Sequence, residues 1–164
     1  MPTVISSLIG ANLSADDATA LFAVGTRINT TDGGQYEYVN VSGTFTTGYF
    51  VLLNANSSAW ALTTALLTAN AQGYDIGVVQ DTISQSNYGW VAKQGRNLYL
   101  LATGTCTAGS EVGLTFASTG RIWNQPSAGV GATCNGIFVT TSASTATASI
   151  AVGMLTFPRS ILHN

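Results

Sequence analysis

The feature that most constrains the fold is a succession of short runs rich in β-branched and aromatic residues, which starts at Phe22. Gly, Asn and Ser separate these runs at intervals of about ten residues, the spacing typical of a β-sandwich or barrel. We therefore predict an all-β fold, a single small β-barrel or jelly-roll-like sandwich. The predicted strands are 23–28, 35–41, 49–53, 74–79, 89–93, 98–102, 111–117, 120–123, 136–140 and 149–157.

Alternation is clearest in the second of these strands, where Tyr36 and Tyr38 alternate with Glu37, Val39 and Val41. Successive side chains of a strand point to opposite faces of its sheet. An alternating pattern of this kind is typical of an antiparallel strand with one face in the core and one in water. We therefore predict a half-buried strand here.

Two kinds of local signal predict hairpins. Residues 31–34 read Thr-Asp-Gly-Gly, and Asp-Gly and Gly-Gly tolerate the positive φ that tight turns between strands require. The pattern of 76–82 and 88–91, which is Gly, apolar residues, a polar loop and a second apolar run, is echoed at 135–141 and 149–152. This echo predicts two stacked hairpins in one barrel.

The N-terminal part is expected to differ from the rest. Ser14 is suited to cap a short helix over 15–22, with Asp16 and Asp17 near its N-terminus, where carboxylates are favourable. Residues 61–71 fit either a short helix or a strand, because alanines and leucines alternate with threonines. We divide the chain into an arm with a short helix over 1–21 and a β-barrel or jelly-roll domain over 22–164.

Charge is scarce, which excludes several functions. Charged residues make up 7% of the chain, against about 25% in typical soluble domains. Five basic side chains and a net charge of −2 argue against binding nucleic acid through its phosphates. The sequence lacks a secretory signal and an apolar stretch of about 18 residues that could span a membrane. We expect a soluble protein that binds neither nucleic acid nor membrane.

Candidate catalytic residues do not assemble into a motif. The one histidine, His163, lies beside the last residue, so neither a triad nor a multi-histidine metal site is expected. The run 129–134 begins like a dinucleotide fingerprint but has Cys134 in place of the third glycine. Residues 93–96, Lys-Gln-Gly-Arg, are predicted to form a solvated hairpin tip. We expect a protein that is not an enzyme and that has no catalytic residues, no cofactor and no metal. Asp16 and Asp17 are assigned to the N-terminal helix and Asp32 to the turn. The other carboxylates are interpreted as residues of strand ends or loops: Glu37, Asp75, Asp81 and Glu111.

The cysteines and tryptophans leave alternatives open. Cys106 and Cys134 lack the short paired spacing of a zinc site and fit either two buried thiols or a disulfide between neighbouring strands. Trp60, Trp90 and Trp123 lie within or beside apolar runs, which favours a place in the core or a subunit interface over stacking on sugars.

Several glycine and apolar motifs follow one another over roughly 74–157. They are Tyr-Gly-Trp-Val-Ala-Lys-Gln-Gly at 88–95, Leu-Tyr-Leu-Leu-Ala-Thr-Gly at 98–104, Ala-Gly-Ser-Glu-Val at 108–112, Thr-Gly at 119–120 and Gly-Ile-Phe-Val at 136–139. In this order they resemble the motifs of the tailed-bacteriophage capsid decoration, or cement, proteins. In the last motif Phe138 stands where that family has a small residue.

The resemblance implies a virion structural protein: a small β-barrel with an extended arm, commonly a homotrimer, on the outer surface of a phage head. It would be made in the host cytoplasm and would stabilise the capsid lattice by bridging major capsid subunits. The partners implied are the major capsid protein and further copies of the chain. An apolar segment outside a barrel requires a surface to cover. We therefore predict that the capsid contacts are Thr3, Val4, Ile5, Leu8 and Ile9.

Alternatives remain at this stage. The arm could instead fold back onto its own barrel or onto a sister subunit. A carbohydrate- or receptor-binding β-sandwich of a phage fibre would use Trp60 or Trp123 as a sugar platform. Another head or tail structural protein would share the same composition.

Overall fold

A computed structural model describes residues 11–62, 75–103, 105–109, 112–114, 120–124, 133–143 and 149–161, with the backbone alone at 112–114, 123–124, 133–135 and 159–161. These residues form ten strands and confirm the all-β prediction. The strands are β1 (Arg27–Asn29), β2 (Gln35–Val41), β3 (Phe50–Leu53), β4 (Ser58–Ala61), β5 (Asp75–Val79), β6 (Tyr88–Ala102), β7 (Val112–Leu114), β8 (Ile122–Asn124), β9 (Thr133–Thr141) and β10 (Ser149–Ile161).

Five of the strands close into a ring. Strands β2, β4, β3, β5 and β6 pair in that order, and β6 pairs back to β2. All of these pairings are antiparallel except that of β2 with β4. A ring closed by backbone hydrogen bonds has no open edge, so the sheet becomes a small barrel.

The inside of this barrel is filled by small and β-branched side chains. Val39, Val51, Ala59 and Val79 belong to the buried cluster that lines it. A Cβ atom on Gly77 would collide with the side chain of Val91 on the neighbouring strand β6. A ring of five strands encloses a narrow interior, which favours the valines and the alanine in this cluster.

A second core covers the outside of the barrel. Trp90 of β6 is buried there, on the face opposite that of Val91, in a cluster that also contains residues of β9 and β10. Strand β6 connects the two layers: its first half pairs with β2 and β5, and its second half pairs with β10. Between the halves the backbone departs from regular strand geometry, since Gly95 and Asn97 have φ values of 152° and 55°.

Several predictions are confirmed. The strand over 35–41 coincides with β2, and residues 30–34 connect it to β1 in a hairpin in which Gly33 has φ 83°. Of the two hairpins predicted from the internal echo, both antiparallel pairs form, β5–β6 and β9–β10, but only β5 and β6 belong to the ring, so the prediction that both lie in one barrel is wrong. Most of the other predicted strands overlap an observed strand and differ from it in where they begin and end.

Other predictions are wrong. Strand β2 is buried on both faces, because the second core covers its tyrosine side. The predicted strands 89–93 and 98–102 are one strand, so 93–96 is no hairpin tip. Strand β4 was not predicted, apart from Ala61 at the start of the segment 61–71.

The helix predicted over 15–22 is also wrong, and the described residues contain no helix. The backbone of Asp17 instead pairs with Tyr88 at the start of β6, with N–H to O distances of 2.9 and 2.8 Å. Two turns of helix are marginal on their own, so tertiary hydrogen bonds decide the conformation.

Candidate functional site

The first candidate site is the place where the N-terminal segment is attached to the barrel. Next to the Asp17–Tyr88 backbone pair, the hydroxyl of Tyr38 donates a hydrogen bond to Oδ2 of Asp17 at 2.9 Å. The same hydroxyl accepts a hydrogen bond from the N–H of Leu21 at 3.2 Å. One buried tyrosine of β2 therefore holds two points of the segment.

Asp16 holds the segment on its other side. Its carboxylate accepts hydrogen bonds from the N–H of Ser84 at 2.9 Å, from the Ser84 hydroxyl at 2.7 Å and from Nδ2 of Asn87 at 2.8 Å. These donors, Ser84 first, lower the pKa of Asp16 below its usual value of 3.8. They stabilise the charged form, so the attachment persists at neutral pH.

Aromatic rings pack beneath this attachment. Phe22 lies 5.3 Å from Tyr38 in an edge-to-face contact and 5.3 Å from Trp90, between ring centroids. Tyr88 stacks on Tyr38 at 6.2 Å. Pairs of this kind add about 1 kcal/mol each beyond the burial of their area. The segment over 11–22 is thus packed as well as hydrogen-bonded, and the chain continues toward residue 1 from a fixed point on the barrel. The predicted capsid contacts Thr3, Val4, Ile5, Leu8 and Ile9 lie outside the described residues.

The second candidate site is a charged cluster at one end of the barrel interior. Nζ of Lys93 contacts Oδ2 of Asp75 and lies 3.4 Å from Oε2 of Glu37. The side chains of Lys93 and Glu37 are 4% and 3% exposed, and that of Asp75 is 35% exposed. Ion pairs this deeply buried are uncommon because both charges lose their hydration.

Two further groups orient Glu37. Nε of Arg27 donates to Oε2 of Glu37 at 2.9 Å, and the hydroxyl of Ser57 donates to Oε1 at 2.7 Å. Both carboxylate oxygens are therefore occupied. Ser57 has φ 54°, in the left-handed region, in the tight connection between β3 and β4. This conformation places the Ser57 hydroxyl within hydrogen-bond distance of Glu37.

The sequence contained a signal for this cluster that the residue-by-residue interpretation missed. Glu37 and Asp75 were interpreted as strand-end or loop carboxylates, and Lys93 as part of a solvated turn. Alternation puts Glu37 on the same face as Val39, and Lys93 on the same face as Val91, both of which are buried inside the barrel. A charged residue two positions away from a buried valine on the same strand lies on the same buried face, so this spacing indicates a buried charged cluster.

The tryptophans and cysteines are divided between core and surface. Trp90 is buried, Trp60 is 48% exposed on the outside of β4, and the side chain of Trp123 lies outside the described residues. Cys106 is buried, with Sγ 4.0 Å from the carbonyl oxygen of Ile122. The side chain of Cys134 also lies outside the described residues.

An apolar strip lies on the outer side of β9 and β10. Phe138 is 39% exposed and lies opposite Met154 in the β9–β10 ladder. Ile150, on the same side of β10 as Met154, is 44% exposed. Val152 lies between them and is partly exposed. The strip has no charged side chain, so it is suited to contact another apolar surface.

Within the described part of the chain, no group of three His, Cys, Asp or Glu side chains is arranged to hold a metal ion. Across the same residues, no helix has the length and apolar character needed to cross a membrane. Comparison of the chain with protein-family models and with curated proteins found no match.

Proposed function

We propose that the protein is a non-enzymatic virion structural protein that binds the outer surface of a phage head and stabilises the capsid lattice. The observation that carries the proposal is the attachment of the N-terminal segment by Asp16, Asp17 and Tyr38. It gives an apolar segment a fixed starting point on a compact barrel. Such an arrangement is suited to tether the barrel to a neighbouring surface.

The arm residues would supply the binding energy. An extended segment of ten residues can reach about 33 Å. Burial of a Val, Leu or Ile side chain contributes about 1.5–3 kcal/mol. Thr3, Val4, Ile5, Leu8 and Ile9 together would therefore bind an apolar groove of the major capsid protein.

Assembly into a homotrimer would raise the strength of attachment. The apolar strip of Phe138, Val152, Met154 and Ile150 is available for contact between copies. Three arms on one particle bind with an effective concentration far above that of separate chains. A partner that binds only the assembled shell shifts the equilibrium toward that shell.

The test compares two double variants with the same change in charge. In one, Ile5→Asp and Leu8→Asp place carboxylates at predicted contacts; in the control, Ser6→Asp and Ser7→Asp place them between those contacts. Each variant and the unaltered chain are sedimented with undecorated heads of the phage that encodes the chain. Light scattering gives the molar mass of each without heads.

We expect the unaltered chain and the serine variant to sediment with the heads, and the affinity of the Ile5 and Leu8 variant to fall at least about a hundredfold. Undiminished binding of that variant would refute the role of the arm. An unaltered chain that ignores the heads would refute the capsid function. In that event the half-exposed Trp60 makes sugar binding the next candidate, to be tested with Trp60→Ala on a glycan array.

A further inference from the structure

The contact between Lys93 and Asp75 has a chemical consequence beyond an ion pair. A lysine amine and a carboxyl group held in contact in a fixed geometry can condense to an amide. Lys93 is the only lysine in the sequence, and it lies inside the barrel rather than on the surface. A lysine that served only as a surface charge would not be buried in the barrel, so the burial of Lys93 requires an explanation.

The backbone directs this lysine into the barrel. In the β2–β6 ladder Gln35 pairs with Gln94 and Tyr36 pairs with Ala92, so Lys93 is skipped. An extra residue of this kind is a β-bulge, a feature that is frequent beside active sites. Asp75 begins the neighbouring strand β5. The two reacting side chains therefore come from adjacent strands of the ring.

We propose that Lys93 and Asp75 form an intramolecular isopeptide bond, with Glu37 as the proton relay. The proton of the Lys93 ammonium first passes to the Asp75 carboxylate along their contact, which leaves a neutral amine and a carboxylic acid. Nζ then attacks Cγ of Asp75 and forms the C–N bond. The C–O bond to the hydroxyl breaks, and the hydroxyl leaves as water.

Glu37 carries the proton that this exchange requires. Its Oε2 lies 3.4 Å from Nζ of Lys93, so it can accept a proton from the attacking nitrogen and deliver it to the departing hydroxyl. Glu37 ends the reaction as the carboxylate it was at the start. The net change is one ammonium and one carboxylate converted to one amide and one water, with no oxidant or cofactor needed.

The surroundings suit both stages of the reaction. Arg27 and Ser57 hold Glu37 in one orientation, and Arg27 remains as its counterion after Lys93 loses its charge. The buried interior favours a neutral amide over a pair of separated charges. Asp75 is partly exposed, so the released water has a path out of the barrel.

Intact-mass spectrometry of the purified, denatured chain tests the bond directly. We expect a mass about 18 Da below that of the unlinked sequence, the loss of one water. Trypsin should not cleave after Lys93, so the peptide 28–96 should remain intact. Chymotrypsin cleavage after Tyr88 should leave the two resulting pieces of that peptide covalently joined. A full sequence mass with cleavage after Lys93 would show an ion pair only and overturn the proposal.

Variants separate the bond from the relay. An amine-reactive label is applied under denaturing conditions. The unaltered chain should take up the same number of labels per chain as Lys93→Arg, because Nζ of Lys93 is already acylated. One extra label on the unaltered chain would overturn the proposal. Glu37→Gln keeps the size of the side chain and should restore both the full mass and the extra label. A linked Glu37→Gln chain would overturn the relay. The mass of the unaltered chain decides the bond even if this variant fails to fold, and it is independent of binding to capsids.

Discussion

The attachment of the N-terminal segment can be tested by removal of a single oxygen atom. Tyr38 is fully buried, and its hydroxyl joins Asp17 and Leu21 to β2. Tyr38→Phe keeps the ring, which contacts Phe22 and Trp90, and removes only the two hydrogen bonds. A hydrogen bond to a charged group contributes about 1.5–3 kcal/mol, and a neutral one about 1 kcal/mol.

The expected loss is smaller than the sum of these terms, because the carboxylate of Asp17 is partly exposed and water can replace one donor. We expect Tyr38→Phe to lower the free energy of unfolding by about 2 kcal/mol, measured by urea denaturation. The backbone amides of Asp17 and Tyr88 should also exchange with solvent faster than in the unaltered chain.

The matched control is Tyr99→Phe, since the Tyr99 hydroxyl has no hydrogen bond within the described residues and its ring is partly exposed. Substitutions of this kind usually change stability by less than about 0.5 kcal/mol. If Tyr38→Phe were no more destabilising than the control, the segment would not be held as described. Loss of stability without faster exchange at Asp17 would equally contradict the reasoning.

Two further predictions concern the barrel itself. Burial, and secondarily the charge of Asp32, raises the pKa of Tyr36 from 10.0 to about 12. The stability that the neutral Tyr36 hydroxyl contributes is therefore present below pH 10 and falls by about 3 kcal/mol as the pH rises to 12. Between pH 10 and 12 the free energy of unfolding of Tyr36→Phe should therefore depend less on pH than that of the unaltered chain. The same pH dependence in both proteins would contradict the assignment. Gly77→Ala should cost about 1–3 kcal/mol in urea denaturation, because its Cβ would collide with Val91 inside the ring, whereas Gly43→Ala meets only ordinary contacts and should be nearly neutral. Equal free energies of unfolding for these two variants would show that the barrel interior can accommodate a methyl group at Gly77.

The elements predicted best were those whose pattern is local. Strand β2 was predicted to the residue, because the alternation of its tyrosines and valines and the Asp-Gly turn before it need no knowledge of the rest of the chain. The hairpins β5–β6 and β9–β10 follow from the same kind of pattern.

The elements predicted wrongly were those whose state depends on distant partners. The helix over 15–22 had suitable propensity and a cap, yet the segment forms turns and bends held by hydrogen bonds from Tyr38, Ser84 and Asn87 to Asp16 and Asp17. Residues 93–96, which include Gly95, were predicted to form a hairpin tip, but in the structure Gly95 has φ 152° within the continuous strand β6. A glycine permits both outcomes, and the sheet around it selects one.

The sequence by itself determined the all-β class, the hairpins and the near absence of surface charge, because side-chain periodicity and turn chemistry act over a few residues. Only the tertiary structure decided that the strands close into a ring, and that closure brings Glu37, Asp75 and Lys93 together inside it. These three residues lie on three strands, up to 56 positions apart in the chain. Contacts between residues so far apart depend on which strands pair, and pairing is settled by the packing of the whole chain.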